Sequence, residues 1–135
     1  MRPRHPQPVL RAQQADRNVV LWGRDSDVMA GMEKSRTSAR LPDVPLPENL
    51  TVTGDLGLVF GQDILVLAIP AQTLRGFLQT HHAALKDRPL VAACKGIDLT
   101  TMTGPSVTIS DVVPTAWAAV LTGPSFAADI ARGLP

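Results

Sequence analysis

What this chain lacks narrows its chemistry first. Cys94 is its only cysteine, which excludes an intrachain disulfide and a cysteine-rich metal site. Its neighbours in "LVAACKG" are apolar, so the thiol reads as buried and inert. Strong charge of either sign is absent. The 13 basic and 12 acidic side chains leave a net +1, too little to draw the chain to nucleic acid or to a membrane. No apolar run is long enough to span a bilayer, and the first residues hold no apolar segment of the secretory kind. No cysteine or carboxylate recurs at ligand spacing around His5, His81 and His82, and the adjacent pair is expected on a polar helix surface. Neither a Ser–His–Asp arrangement nor paired carboxylates are evident, so hydrolysis has no constellation to rest on. One further absence is local: no glycine precedes Gly23.

That absence bears on "VVLWGRD" (19–25), an apolar run ending in a polar turn. Strands that end this way often meet a nucleotide, but they normally follow a glycine-rich phosphate loop. The residues before it, "MRPRHPQPVLRAQQADR" (1–17), carry Pro3, Pro6, Pro8, several arginines and almost nothing apolar. They read as a disordered segment with at most a helical turn near Val9–Asp16. A transit peptide fits them poorly, because serine and an apolar face are missing.

From residue 18 the composition changes. Strands are expected at "NVVLW" (18–22), "LTVT" (50–53), "DILVLAIP" (63–70), "PLVAAC" (89–94) and "WAAVLTG" (117–123). Helices are expected at 26–36, with Ser26 as N-cap, then at 56–60 behind Asp55. Further helices are expected at 71–85, 106–113 and 124–134. Between them, "LPDVPLPENL" (41–50) is a proline-rich loop. The strands are apolar on both faces, and "DILVLAIP" is expected at the centre of a sheet covered on two sides. Alternation of this kind is the pattern of an α/β domain with a mostly parallel sheet.

Ligands in such sheets bind beyond the carboxyl ends of the strands. Arg24 stands where a nucleotide-binding strand would end, and a guanidinium there suits the 2′-phosphate of NADP. Taken alone it reads more simply as an exposed arginine opening a loop. Lys95, followed by Gly96, could carry an ammonium over the ligand crevice, or be a surface lysine. "GPSFA" (123–127) puts Gly123, Pro124 and Ser125 at the start of a helix, where an anion is favoured; an ordinary N-cap is the alternative.

Taken together, "VVLWGRD", "LPDVPLPENLTVTGDL", "DILVLAIPAQTLR", "KGID" and "TGPSFAADIARGLP" resemble, in that order, bacterial NAD(P)-dependent glycerol-3-phosphate dehydrogenases. The resemblance covers residues 18–135 and implies a partial NAD(P)-binding domain of Rossmann type, doubly wound and mostly parallel. It implies NADP(H) or NAD(H) as cofactor, and dihydroxyacetone phosphate and sn-glycerol 3-phosphate as substrates. It also implies a cytoplasmic place in phospholipid synthesis. By the same resemblance Arg24, Lys95 and Ala127 would contact the cofactor, and Lys95, Gly123 and Ser125 the substrate. "GPSFAADIARGLP" disfavours the related β-hydroxyacid and ketopantoate-type reductases.

Two features of the family have no counterpart here. Its first strand and G-x-G-x-x-G-type loop would fall where residues 1–17 stand, and its catalytic lysine, the general acid/base, would lie beyond Pro135. In the strand order 3-2-1-4-5-6 the first strand separates the second from the fourth. Its loss is expected to leave a gap between "NVVLW" and "DILVLAI", with self-association or aggregation through the exposed edges. The expectation is a truncated or frame-shifted dehydrogenase fragment, inactive by itself. The alternatives are a non-catalytic dinucleotide-binding module and an inert product.

Overall fold

A computed structural model of the chain describes residues 17–123 and Asp129. The helical turn expected at 9–16 and, Asp129 apart, the helix expected at 124–134 lie outside the described residues. Phe60–Gly123 forms one compact unit, and residues 17–59 belong to another. Each has its own parallel sheet.

In the first unit, β1 (Val19–Trp22) pairs with β2 (Leu50–Thr53), Val19 lying opposite Leu50 and Trp22 opposite Thr53. Helix α1 (Ser26–Ser35) joins them and buries Met29 against Leu50 and Val52, with Val19, Met32 and Leu46 packed around that core. Its N-cap is Asp25 rather than the expected Ser26, which is already helical. Asp25 holds an extended backbone (φ −95°, ψ 102°), and its Oδ1 accepts the Val28 N–H at 3.0 Å. A carboxylate also complements the helix N-terminus. Ser26 is instead crowded against the end of β2: a Cβ on Gly54 would lie 2.9 Å from Ser26 Cα, so glycine is required there.

The outer edge of β2 is closed by side chains. Val19 and Gly23 donate to Asn49 O and Thr53 O, which turns the amide groups of Leu50 and Val52 away from β1. Glu33 Oε2 accepts the Val52 N–H at 2.7 Å, and Arg36 Nη2 donates to Leu50 O at 2.8 Å. Arg36 sits in the left-handed region (φ 53°), uncommon for a residue with a side chain. It is held there by Glu33 at 2.9 Å, by a bond to Pro47 O and by the Leu46 N–H on its own carbonyl. These bonds also anchor the proline-rich loop. Beyond β2, Asp55 Oδ1 accepts the Gly57 N–H at 2.8 Å, where α2 (Leu56–Phe60) begins.

In the second unit, β3 (Leu65–Leu67), β4 (Pro89–Ala92) and β5 (Trp117–Val120) run parallel in the order β3-β4-β5. Helices α3 (Ala71–Thr80) and α4 (His82–Leu85) link β3 to β4, and α5 (Pro105–Val112) links β4 to β5. Leu74, Leu78, Leu85, Leu90, Ile109 and Val113 are fully buried, beside Leu65, Leu67 and Ala92. The single helix expected over 71–85 breaks at His81. Its N–H closes α3 on Phe77 O, and its ring packs on Phe77 (4.7 Å) and Phe60 (5.4 Å). His81 is therefore half-buried, not on a polar surface, because ring stacking favours the tucked position, and His82 is half-buried beside it.

The strands are barer than expected. β3 spans three residues and ends its sheet instead of lying at a centre, and Ile64 and Val66 are exposed while Leu65 and Leu67 are buried. β5 is exposed along its length, Trp117 most of all. Among the described residues, one face of β3 and β4 is buried, the one that carries Leu65, Leu67, Leu90 and Ala92. β1 likewise has a partner on one edge alone among the described strands. No described helix is long and apolar enough to cross a membrane.

The Glu33 closure of β2 can be measured. Glu33→Ala leaves the buried Val52 N–H without its acceptor and is expected to cost about 1–2 kcal/mol of stability. Glu33→Gln keeps an acceptor oxygen and should retain most of it. Urea unfolding of the two variants checks this; equal midpoints would remove the role.

Candidate functional site

In a parallel sheet the carboxyl ends of all strands share one edge. In the second unit that edge holds Ala68–Gln72 after β3, Ala93–Gly96 after β4 and Leu121–Gly123 after β5. Pairing persists just past the strands. The Ala93 N–H reaches Leu67 O at 3.0 Å, and the Leu121 N–H reaches Ala92 O at 2.8 Å. These bonds set Lys95 and Gly123 at the ends of neighbouring strands. Lys95 is exposed, and Gly96 turns the chain with φ +100°, a conformation that side chains rarely adopt. Gly123 is exposed too, and a Cβ there would meet nothing within 4 Å, so packing in this unit does not demand a glycine. Cys94 is half-buried, not fully buried as expected. Burial nonetheless pushes its thiol up from the ordinary value, which keeps it protonated and unreactive.

In the other unit, Arg24 follows the carboxyl end of β1, where Trp22 Nε1 donates to Gly54 O at 3.1 Å and fastens the ends of β1 and β2 together. The Arg24 side chain is exposed, whereas Asp25 Oδ1 is committed to the α1 cap. Of these two neighbours, the guanidinium is the group offered to an anion. Ser125 and Ala127 lie outside the described residues.

The loop from Lys95 to Gly104 is held by residues that the sequence reading did not assign. Arg75 Nε donates to Asp98 Oδ2 at 2.7 Å, and its Nη2 lies 3.6 Å from Asp111 Oδ2. Gln72 Nε2 donates to Ile97 O at 2.6 Å, and its Oε1 accepts the Leu99 N–H at 3.3 Å. Asp98 is buried; its Oδ1 accepts the Thr100 N–H at 2.9 Å, and its backbone pairs with Thr103. Gln72 falls among the residues just after β3, the strand-end signal that also picks out Lys95, whereas Arg75 is marked in the sequence by its place three residues on along the same helix face.

Comparison with known proteins adds a lineage. The family described as NAD-dependent glycerol-3-phosphate dehydrogenase N-terminus matches residues 9–135. The chain belongs to the NAD-dependent glycerol-3-phosphate dehydrogenase family. It is 51% identical to the glycerol-3-phosphate dehydrogenase (NAD(P)+) of Ruegeria sp. over 117 residues, which are 86% of this chain and 37% of that protein. With the same-named protein of Paracoccus denitrificans it shares 53% over 117 residues, 87% of this chain and 36% of the relative. The crystal structure of glycerol-3-phosphate dehydrogenase from Coxiella burnetii superposes with a TM-score of 0.81 at 22% identity, over 91% of this chain and 38% of that one. That likeness shows the fold, a Rossmann-like α/β arrangement of parallel strands. The chain spans a little over a third of the length of these dehydrogenases.

Within this dehydrogenase domain the Arg75–Asp98 pair carries a pH signature. The hydrogen bond from Arg75, helped by the Thr100 N–H, holds the Asp98 carboxyl down at about 2, against an ordinary 3.8. A depressed folded-state value stabilises the fold fully above the unfolded value and loses that contribution as pH falls through the folded one. Stability from this pair should be constant above roughly pH 5 and should fall between about pH 4 and pH 2. Asp98→Asn should remove that part of the slope. Unfolding midpoints measured across this range check it, and an unchanged slope would count against the pair.

Proposed function

We propose that this chain is the cofactor-binding portion of a dehydrogenase that interconverts dihydroxyacetone phosphate and sn-glycerol 3-phosphate, supplying phospholipid synthesis in the cytoplasm. The observation that carries this reading is Arg24, an exposed guanidinium at the carboxyl end of a parallel strand whose neighbouring carboxylate is occupied in capping α1. It is supported by the family match over residues 9–135.

On this reading residues 18–135 are the part of the domain that reads the adenosine end of the cofactor. Arg24 binds the 2′-phosphate through paired charge-assisted bonds, which selects NADP(H) over NAD(H). A nicotinamide, when bound, supplies the hydride exchanged with the substrate carbon that bears oxygen. Lys95 then reaches cofactor and substrate and offers an ammonium to an oxygen that gains negative charge. Gly123, with no packing demand for glycine, lets substrate approach the backbone; Ser125 holds the substrate, and Ala127 lines the cofactor. No residue of this chain is assigned proton transfer.

NADPH titration, followed by its fluorescence, tests the reading. Arg24→Ala is expected to weaken NADPH by roughly tenfold to a hundredfold, the worth of about 1.5–3 kcal/mol for bonds to a charged group, and to leave NADH nearly unchanged. Equal losses for both cofactors would remove the 2′-phosphate role. Adding dihydroxyacetone phosphate separates the enzyme from a binding-only module, because the latter shows affinity without NADPH oxidation. The open edges of β1 and β3 further lead us to expect self-association; a strictly monomeric species in size-exclusion chromatography at high concentration would refute that.

A further inference from the structure

The Lys95–Gly96 turn hangs between two fixed points. On its near side the Ala93 N–H is bonded to Leu67 O at 3.0 Å, at the end of β3. On its far side Gln72 grips the backbone at both Ile97 O (2.6 Å) and Leu99 N–H (3.3 Å). Just beyond, the chain folds on itself. The Asp98 N–H bonds to Thr103 O at 2.9 Å, the Met102 N–H bonds to Asp98 O at 2.7 Å, and Met102 is left-handed with φ 56°. This closed loop is fastened to α3 by Arg75, which bonds Asp98 at 2.7 Å and Thr101 Oγ1 at 3.3 Å. It is fastened to α5 by the buried Thr108, which bonds Gly104 O at 3.1 Å and Thr103 Oγ1 at 3.2 Å. Gly96 itself could not hold the turn, since a glycine with φ +100° and room around it has many other conformations open to it.

We propose that Gln72 and Arg75 are positioning residues, acting from one face of α3 to hold the Lys95–Gly96 turn in the conformation that receives cofactor and substrate. The proposal deepens the function given above and rests on it for the identity of the ligand. Its physical basis is preorganisation. A lysine on a loop that must be ordered at each binding event loses affinity to that ordering, whereas one on a loop already clamped does not. The two side chains divide the work. Gln72 fixes the backbone at the exit of the turn with one donor and one acceptor. Arg75 holds the carboxylate around which the following loop is wound. Neither touches the ligand in this account; both act through Lys95.

The test uses the full 135-residue chain, with hydrogen exchange of the 95–104 backbone and the NADPH dissociation constant as paired readouts. Gln72→Ala and Arg75→Ala are expected to speed exchange across the loop and to weaken NADPH by roughly three- to tenfold. Arg75→Lys keeps the charge on Asp98 without the guanidinium fork and should recover part of both losses. Leu78→Ala, a core truncation on the same helix, is the control: it should lower global stability without loosening this loop selectively. Wild-type exchange in both alanine variants, or equal loosening by Leu78→Ala, would overturn the proposal while leaving the cofactor reading intact. Loop protection that depends on Gln72 and Arg75 in a chain that binds no NADPH would uphold the clamp and refute the cofactor reading.

Discussion

A strand edge without a neighbouring strand must find other partners for its backbone amides, or leave them to water, and this constraint organises the chain. β2 meets it with side chains: Glu33 takes the Val52 N–H, and Arg36 donates to the Leu50 carbonyl. The cost is a left-handed arginine at the end of α1, tolerated because its bonds to Glu33, Pro47 and Leu50 over-determine the position. β1 and β3 each have a strand partner on one edge alone among the described residues.

Parallel pairing also decides where chemistry can occur. Because the carboxyl ends of β3, β4 and β5 share an edge, residues far apart in the chain, from Gln72 to Gly123, gather at one rim. Bonds that overrun the strands, from Ala93 to Leu67 and from Leu121 to Ala92, extend that order to the turns beyond them. Rigid strands, a clamped loop and a glycine turn together give Lys95 a defined starting point. Arg24 is placed by the same logic in the other unit, at the end of β1, with Asp25 withdrawn into the helix cap.

The position and type of most elements were legible in the sequence, because apolar runs bounded by glycine, proline and aspartate leave few other structures open. Arg24, Lys95 and Gly123 were legible as strand-end residues for the same reason. What misled was burial. Apolar residues at both faces of "DILVLAIP" implied a central strand covered on two sides, yet alternation in the fold leaves Leu65 and Leu67 buried and Val66 exposed. Composition records what a strand could bury, and tertiary packing decides what it does bury. The break at His81 and the left-handed Arg36 were likewise shaped by contacts with distant residues, Phe60 and Leu50. The sequence by itself determined the alternation of strands and helices, the family motifs and the cations at the strand ends, all of which depend on local residue order. Only the tertiary structure decided that Gln72 and Arg75 reach across 23 to 27 residues to hold the loop behind Lys95, because a hydrogen bond between a helix and a distant turn has no local signature.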